Sequence, residues 1–377
     1  MPNRSSVSLQ VLGFILLAAL PVGTVRAGDS APPWSPKAAA TFLDGQTDWW
    51  LGWPSAARGQ GTACISCHTT LPYALARPAL GKLLGETAPG PVEQKFLDHV
   101  KRRVENWEAI VTHSGPDKDP FRSYYAGTKH ASALGTEAVL NAVVLTTADA
   151  KWTNGGPSPT TRKALDHLWK QQQENGAWLW LEFGLNPWEK DGTYWGASLA
   201  AVAVGTAGPA YYDQIDVRAN VAALKKYLTT QFSTQSLHHR VFGLWASSRL
   251  PGVLTEADRT ALVAELLAAQ ETDGGWSLPR LGKTAGGGAW PSHGVYPDGT
   301  VSDGYATGLV VLALKRAGVS ADHPQLRKSG AWLTARQADS TWPVNYPNKA
   351  RDPQSDVGKF LRTAATAFAV LALTEGK

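Results

Sequence analysis

Three features of the chain predict an all-α protein of layered helices. Apolar, small-residue runs alternate with amphipathic ones, a Gln-then-Trp pattern recurs, and the connecting loops are crowded with Gly, Pro and Trp. A β fold is not predicted, because no strand-length alternation of apolar and polar residues recurs along the sequence.

The elements follow in chain order. Arg4, the apolar stretch 11–20 and Val25-Arg26-Ala27 read as the three parts of an export leader, giving a signal peptide at 1–27. The apolar stretch is too short to cross a bilayer. The expectation is therefore one mature domain at 28–377, periplasmic or secreted, with no membrane span after cleavage. Loss of Arg4 and Arg26 lowers the formal charge of +5 by two. So small a surplus gives no argument for nucleic acid or an anionic membrane surface as partner.

Amphipathic outer helices are predicted to begin near Pro36, Val92, Pro159, Val217, Glu256 and Pro324. Inner helices are predicted near Leu71, Ser132, Thr193, His239, Asp303 and Arg362. The runs 136–148, 195–205, 241–250, 305–317 and 363–373 are apolar nearly all round, as in helices buried on more than one side.

Gln172-x-x-x-Gly176-x-Trp178 and Gln270-x-x-x-Gly274-x-Trp276 form one repeated signature, with partial copies at Gln46/Trp49 and Gln337/Trp342. On these residues, and on Ser302-Asp303-Gly304-Tyr305-Ala306-Thr307-Gly308-Leu309, the chain resembles the squalene–hopene cyclase and prenyltransferase repeat family. The resemblance implies an (α/α)6 toroid, with six inner helices around a cavity and six outer helices wrapped on them. It also implies that the Gln–Trp pairs are structural ties.

Cys64-Ile65-Ser66-Cys67-His68 contains both cysteines of the chain in one C-x-x-C-H run. The run reads as an attachment site for one covalent haem c, with Cys64 and Cys67 as thioether tethers and His68 as proximal iron ligand. A local disulfide, a thioredoxin-like redox pair and a partial zinc site are the competing readings. The redox pair lacks its βαβ context, and zinc lacks a fourth ligand. The attachment loop, about 59–72, falls in the first repeat, between an outer and an inner helix.

Met1 is the only methionine, so the sixth iron ligand cannot be a Met of the mature chain. His130 leads as tentative distal ligand, followed by His113 and His293. The same toroid mouth would gather Glu137, Tyr194, Trp195, His239, Asp303, Tyr305 and Arg362, of which Glu137, Asp303 and Tyr305 are the catalytic candidates. Asp303 and Ser302 equally suit simple helix capping.

The expected function is haem-linked redox activity, chiefly electron transfer, with a redox partner protein and a hydrophobic small molecule in the toroid cavity. The alternatives are an isoprenoid-modifying enzyme of the cyclase type and a haem-based sensor or binding module. The cyclases' Asp-x-Asp-Asp motif is absent; the nearest runs are Asp117-Lys118-Asp119 and Asp213-Gln214-Ile215-Asp216.

Overall fold

The computed structural model describes residues 34–112, 127–153, 156–184, 186–189, 191–283, 301–346 and 351–376. The expected leader, His113 and His293 lie outside the described residues. The described residues belong to one compact unit, Pro33–Lys377.

In chain order the described helices are α1 (Pro36–Gly52), α2 (Thr70–Leu83), α3 (Pro91–Glu105), α4 (Trp107–Thr112), α5 (His130–Trp152), α6 (Pro159–Lys170), α7 (Thr193–Ala207) and α8 (Pro209–Tyr212). They continue with α9 (Arg218–Gln231), α10 (Leu237–Arg249), α11 (Glu256–Ala268), α12 (Leu278–Leu281), α13 (Gly304–Arg316), α14 (Pro324–Ala335) and α15 (Asp356–Thr374). A two-residue hairpin, β1 (Ala57–Arg58) and β2 (Thr62–Ala63), interrupts them before α2. The protein is all-α in class.

Local chemistry sets the starts. Pro at the first helical position opens α1, α6 and α14, where its missing N–H removes no helical bond. Ser35, Ser158, Thr255 and Ser355 cap α1, α6, α11 and α15 with their hydroxyls.

Packing sorts the helices into two sets. In the order α2, α5, α7, α10, α13, α15, each inner helix packs on the next, and α15 packs back on α2. Around them α1 lies on α2 and α15, α3 and α6 on α5, α9 on α7, α11 on α10, and α14 on α13 and α15. The apolar stretches of α5 and α15 are long enough to cross a membrane, yet 83% and 78% of them are buried inside the protein, which marks them as core helices. Gly308 lets α13 approach the Phe368 backbone of α15 so closely that a Cβ would collide with it.

The Gln–Trp pairs tie this arrangement together. Trp178, Trp276 and Trp342 each return an indole N–H to a carbonyl near the end of the preceding outer helix, at Leu168, Leu266 and Leu333 (2.7, 2.8 and 2.7 Å). Gln172 donates to Asn220 in the first turn of α9, and Gln270 to Gln325 in the first turn of α14. Gln337 extends the series: its side chain exchanges hydrogen bonds with the Ser35 backbone ahead of α1. The partial copy at Gln337 thus joins the last outer helix to the first.

Candidate functional site

The segment carrying the cysteines is fixed from both sides. In the hairpin, Ala57 pairs with Ala63 and Arg58 with Thr62. Cys64 N–H then donates to the Ala56 carbonyl (2.9 Å), and Trp50 Nε1 donates to the Cys64 carbonyl (2.8 Å). Ser66 Oγ accepts the N–H groups of Thr69 and Thr70, both at 3.0 Å, while Ser66 N–H donates to Thr70 Oγ1 at 2.8 Å. These bonds satisfy donors that the start of α2 would leave orphaned. They place His68 just ahead of the helix.

Cys64, Cys67 and His68 line one pocket of about 250 Å³. Trp50, Trp53, Phe360 and Leu140 supply apolar wall, and Glu137 and Glu189 its acidic groups. Both cysteines are free thiols, each half-buried. Burial first, then the charge of Glu189 and the neighbouring Cys64, push the Cys67 thiol well above its usual range. A thiol so placed stays protonated at neutral pH.

The structure corrects the expectation of a covalent haem c. Among the described residues, no group of three or more His, Cys, Asp and Glu side chains is placed to hold a metal ion. The His68 ring lies flat against Phe360, centroid to centroid 3.7 Å, with Trp50 at 5.5 Å and Trp188 at 5.6 Å around it. Its Nδ1 meets the Thr69 hydroxyl at 3.1 Å. Burial pushes the imidazole down to about 3, so it is a neutral ring in an aromatic cluster. These residues show no haem site, and the iron-ligand roles expected of His68 and His130 depended on one. His130 begins α5; the pocket is lined by Ala133, Glu137 and Leu140 further along that helix, and not by His130.

The other candidates are brought near one another but are occupied. Glu137 faces the pocket while accepting Arg103 Nε and Nη2 (2.5 and 2.6 Å), a pair buried on both sides. Arg103 also donates to Thr62 Oγ1 at 2.8 Å, which binds the hairpin to α3. Tyr305 hydroxyl accepts Trp188 Nε1 (3.2 Å) and pairs with His238 Nε2 (2.8 Å). A continuous aromatic path therefore runs from His68 through Trp188 and Tyr305 to His238.

Asp303 is the side-chain cap of α13. Its Oδ1 accepts Ala306 N–H, and its Oδ2 accepts Leu278 N–H and Asn345 Nδ2. Burial nonetheless pushes its carboxyl up to about 7. Tyr194 reaches outward to the Leu228 carbonyl, His239 meets the Pro187 carbonyl, and Arg362 lies over Phe42 of α1. Trp195 packs edge-on against Trp180 and Phe242.

Sequence reasoning missed Trp188, Glu189, Phe360, Arg103 and Ser66. The segment 179–192 has no periodicity from which Trp188 and Glu189 could be singled out. Phe360 sits a turn inside α15, ahead of the run that marked that helix, and only the small distance from Arg362 hinted at it.

No protein-family model matches the chain. Among curated proteins, the squalene–hopene cyclase of Alicyclobacillus acidocaldarius subsp. acidocaldarius is 47% identical over 51 residues. That match spans 13% of this chain and 8% of the cyclase. Among solved structures, a polysaccharide lyase superposes with a TM-score of 0.49 at 13% identity, covering 90% of this chain and 96% of the lyase. In sequence, the chain is similar to a squalene–hopene cyclase over one short stretch.

Proposed function

We propose that the chain is an exported α/α toroid, six inner helices within six outer ones, that carries a dithiol–disulfide couple beside an apolar ligand pocket. The observation that carries the reading is the position of both free thiols on the wall of one aromatic pocket. The cyclic packing order of the inner helices and the Gln337–Ser35 tie support the toroid. The partner is a protein that presents a disulfide. Cys64 thiolate attacks one of its sulfurs, forming a mixed disulfide and releasing a partner thiolate. Cys67 then gives its proton to Glu189 and attacks the Cys64 sulfur, releasing the second partner thiolate. Glu189 passes that proton to the departing partner thiolate, so that, with the proton Cys64 had already lost, two electrons and two protons leave this chain and one S–S bond forms in it.

Cys67 suits the second role because burial holds it as a thiol until the mixed disulfide is in reach. The pocket, at about 250 Å³, suits a small flat apolar molecule that would cover the pair and control access to it. The test is intact mass with thiol alkylation, on protein equilibrated in glutathione buffers. The oxidised chain should lose two hydrogens and resist alkylation, and Cys64→Ser should abolish both changes. Thiols that stay free in oxidised glutathione, or an intact mass carrying a covalently held tetrapyrrole, would overturn it.

A cyclase-type enzyme is the second reading. It draws on the short cyclase match and on the raised Asp303 carboxyl. Incubation with squalene decides it, since any cyclised hydrocarbon absent from a boiled control would favour this reading over the thiol couple.

A further inference from the structure

The inner helices border a second, half-open cavity of about 510 Å³, at the ends opposite His68. All six contribute to it, chiefly from their C-terminal halves, and along each of three helices the order of lining residues is the same. On α2, Leu75 and Pro78 precede Lys82; on α7, Val202 precedes Thr206; on α10, Trp245 precedes Arg249. Four residues of helix rise about 6 Å. The wall is therefore apolar below and polar at the rim, about one turn higher.

The rim is cationic. Lys82, Lys151, Arg249 and Arg316 face the cavity, against the single carboxylate of Glu375 among its lining residues. Basic residues near helix C-termini often serve the backbone, and Lys315 does so, donating to the Ala372 and Glu375 carbonyls at 2.8 and 3.2 Å. Arg316 is likewise engaged, with Glu375 at 2.9 Å and the Trp245 ring at 4.9 Å. Arg249 has no such explanation. Among the described residues it makes no hydrogen bond or ion pair; its side chain is exposed at the rim, beside the like charge of Arg316. A rim of like charges above an apolar wall suits an anion joined to an apolar body.

We propose that this cavity binds a single-chain amphiphile with an anionic head, of the long-chain carboxylate class. The tail lies against Leu75, Pro78, Val202, Trp245 and Leu371, and the head meets Arg249 and Arg316. The volume falls within the roughly 300–1,000 Å³ of small-molecule sites. This site is separate from the thiol pocket, and the inference does not depend on the redox reading.

Titration calorimetry with monomeric dodecanoate tests it, using dodecanol as the same tail without charge and acetate as the head alone. One dodecanoate should bind per chain, dodecanol at least about tenfold more weakly, and acetate not at all over the same range. Arg249→Gln should weaken dodecanoate at least about tenfold, and Arg249→Lys should restore most of the affinity. Ala79→Trp, which fills the cavity from its wall, should abolish binding while the melting curve confirms folding. Dodecanol binding as tightly as dodecanoate, an Arg249→Gln variant indistinguishable from the parent, or no dodecanoate binding would each overturn the proposal. So would sedimentation with anionic vesicles by a chain that ignores the free carboxylate.

Discussion

Glu137 shows how a residue can face a pocket and still belong to the scaffold. Both carboxylate oxygens accept from Arg103, which in turn holds Thr62 of the hairpin. Removing one partner of a buried pair leaves an uncompensated charge, which costs about 3–5 kcal/mol. Glu137→Ala should therefore lower the unfolding free energy, read by chemical denaturation, by an amount of that order, whereas Arg103→Met/Glu137→Leu together should recover most of it. A single variant as stable as the parent would contradict the pairing. His167 carries a different message. Its ring stacks on Trp107 at 4.7 Å, and burial, then Lys170 and Lys163, opposed by Glu105 and Glu137, push it down to about 4. The unfolded chain binds this proton near pH 6.5 and the folded chain only near pH 4. Between those values the unfolded state holds more protons, so stability falls as pH drops, by at most about 1.4 kcal/mol per pH unit. His167→Phe keeps the stack and removes the titration, so melting temperature should fall less steeply from pH 6.5 to 4 than in the parent.

At the scale of the elements, Gly176 shows why the repeated signature needs its middle residue. It sits at φ +90°, and a Cβ there would collide with the Ala223 carbonyl of α9. Gly176→Ala should therefore cost about 1–3 kcal/mol. Gln337→Ala removes only partly exposed bonds and should cost about 1 kcal/mol or less, both read by chemical denaturation. Equal losses would mean that the tie and not the turn sets the repeat. Much of this layer was legible in the sequence. Pro36, Pro159, Pro324, Thr193 and Glu256 open their helices at the residues expected; proline at the first position and the Thr255 cap ahead of Glu256 act locally. The inner helix expected near Arg362 begins earlier, at Asp356, under the cap of Ser355, and so turns Phe360 onto His68. The thiol pocket was legible only in its cysteines, His68 and Glu137. Its far wall, Leu181, Phe183 and Glu189, comes from an irregular segment whose course depends on tertiary contacts such as Trp180 Nε1 to the Trp188 carbonyl at 3.0 Å.

Across the whole molecule, the cyclic packing order has an energetic consequence that a linear stack of repeats would not share. In an open solenoid each repeat touches only its neighbours, and the ends fray first. Here α15, the last helix, packs on both α13 and α2, so the first and last inner helices stabilise one another. Phe368 of α15 is buried edge-on to Tyr305 of α13 at 5.0 Å and to Phe242 of α10 at 6.0 Å. Truncating a buried Phe to Ala costs about 3–5 kcal/mol through lost burial and the cavity left behind. In a closed ring that loss is felt by every helix whose opening requires the ring to open. Hydrogen exchange on Phe368→Ala should therefore show protection falling by similar free energies in α2, α7 and α13, which lie at different distances along the chain. Loss confined to α14, α15 and α1, with α7 unchanged, would mean that the repeats open independently and that the ring closure contributes little to stability.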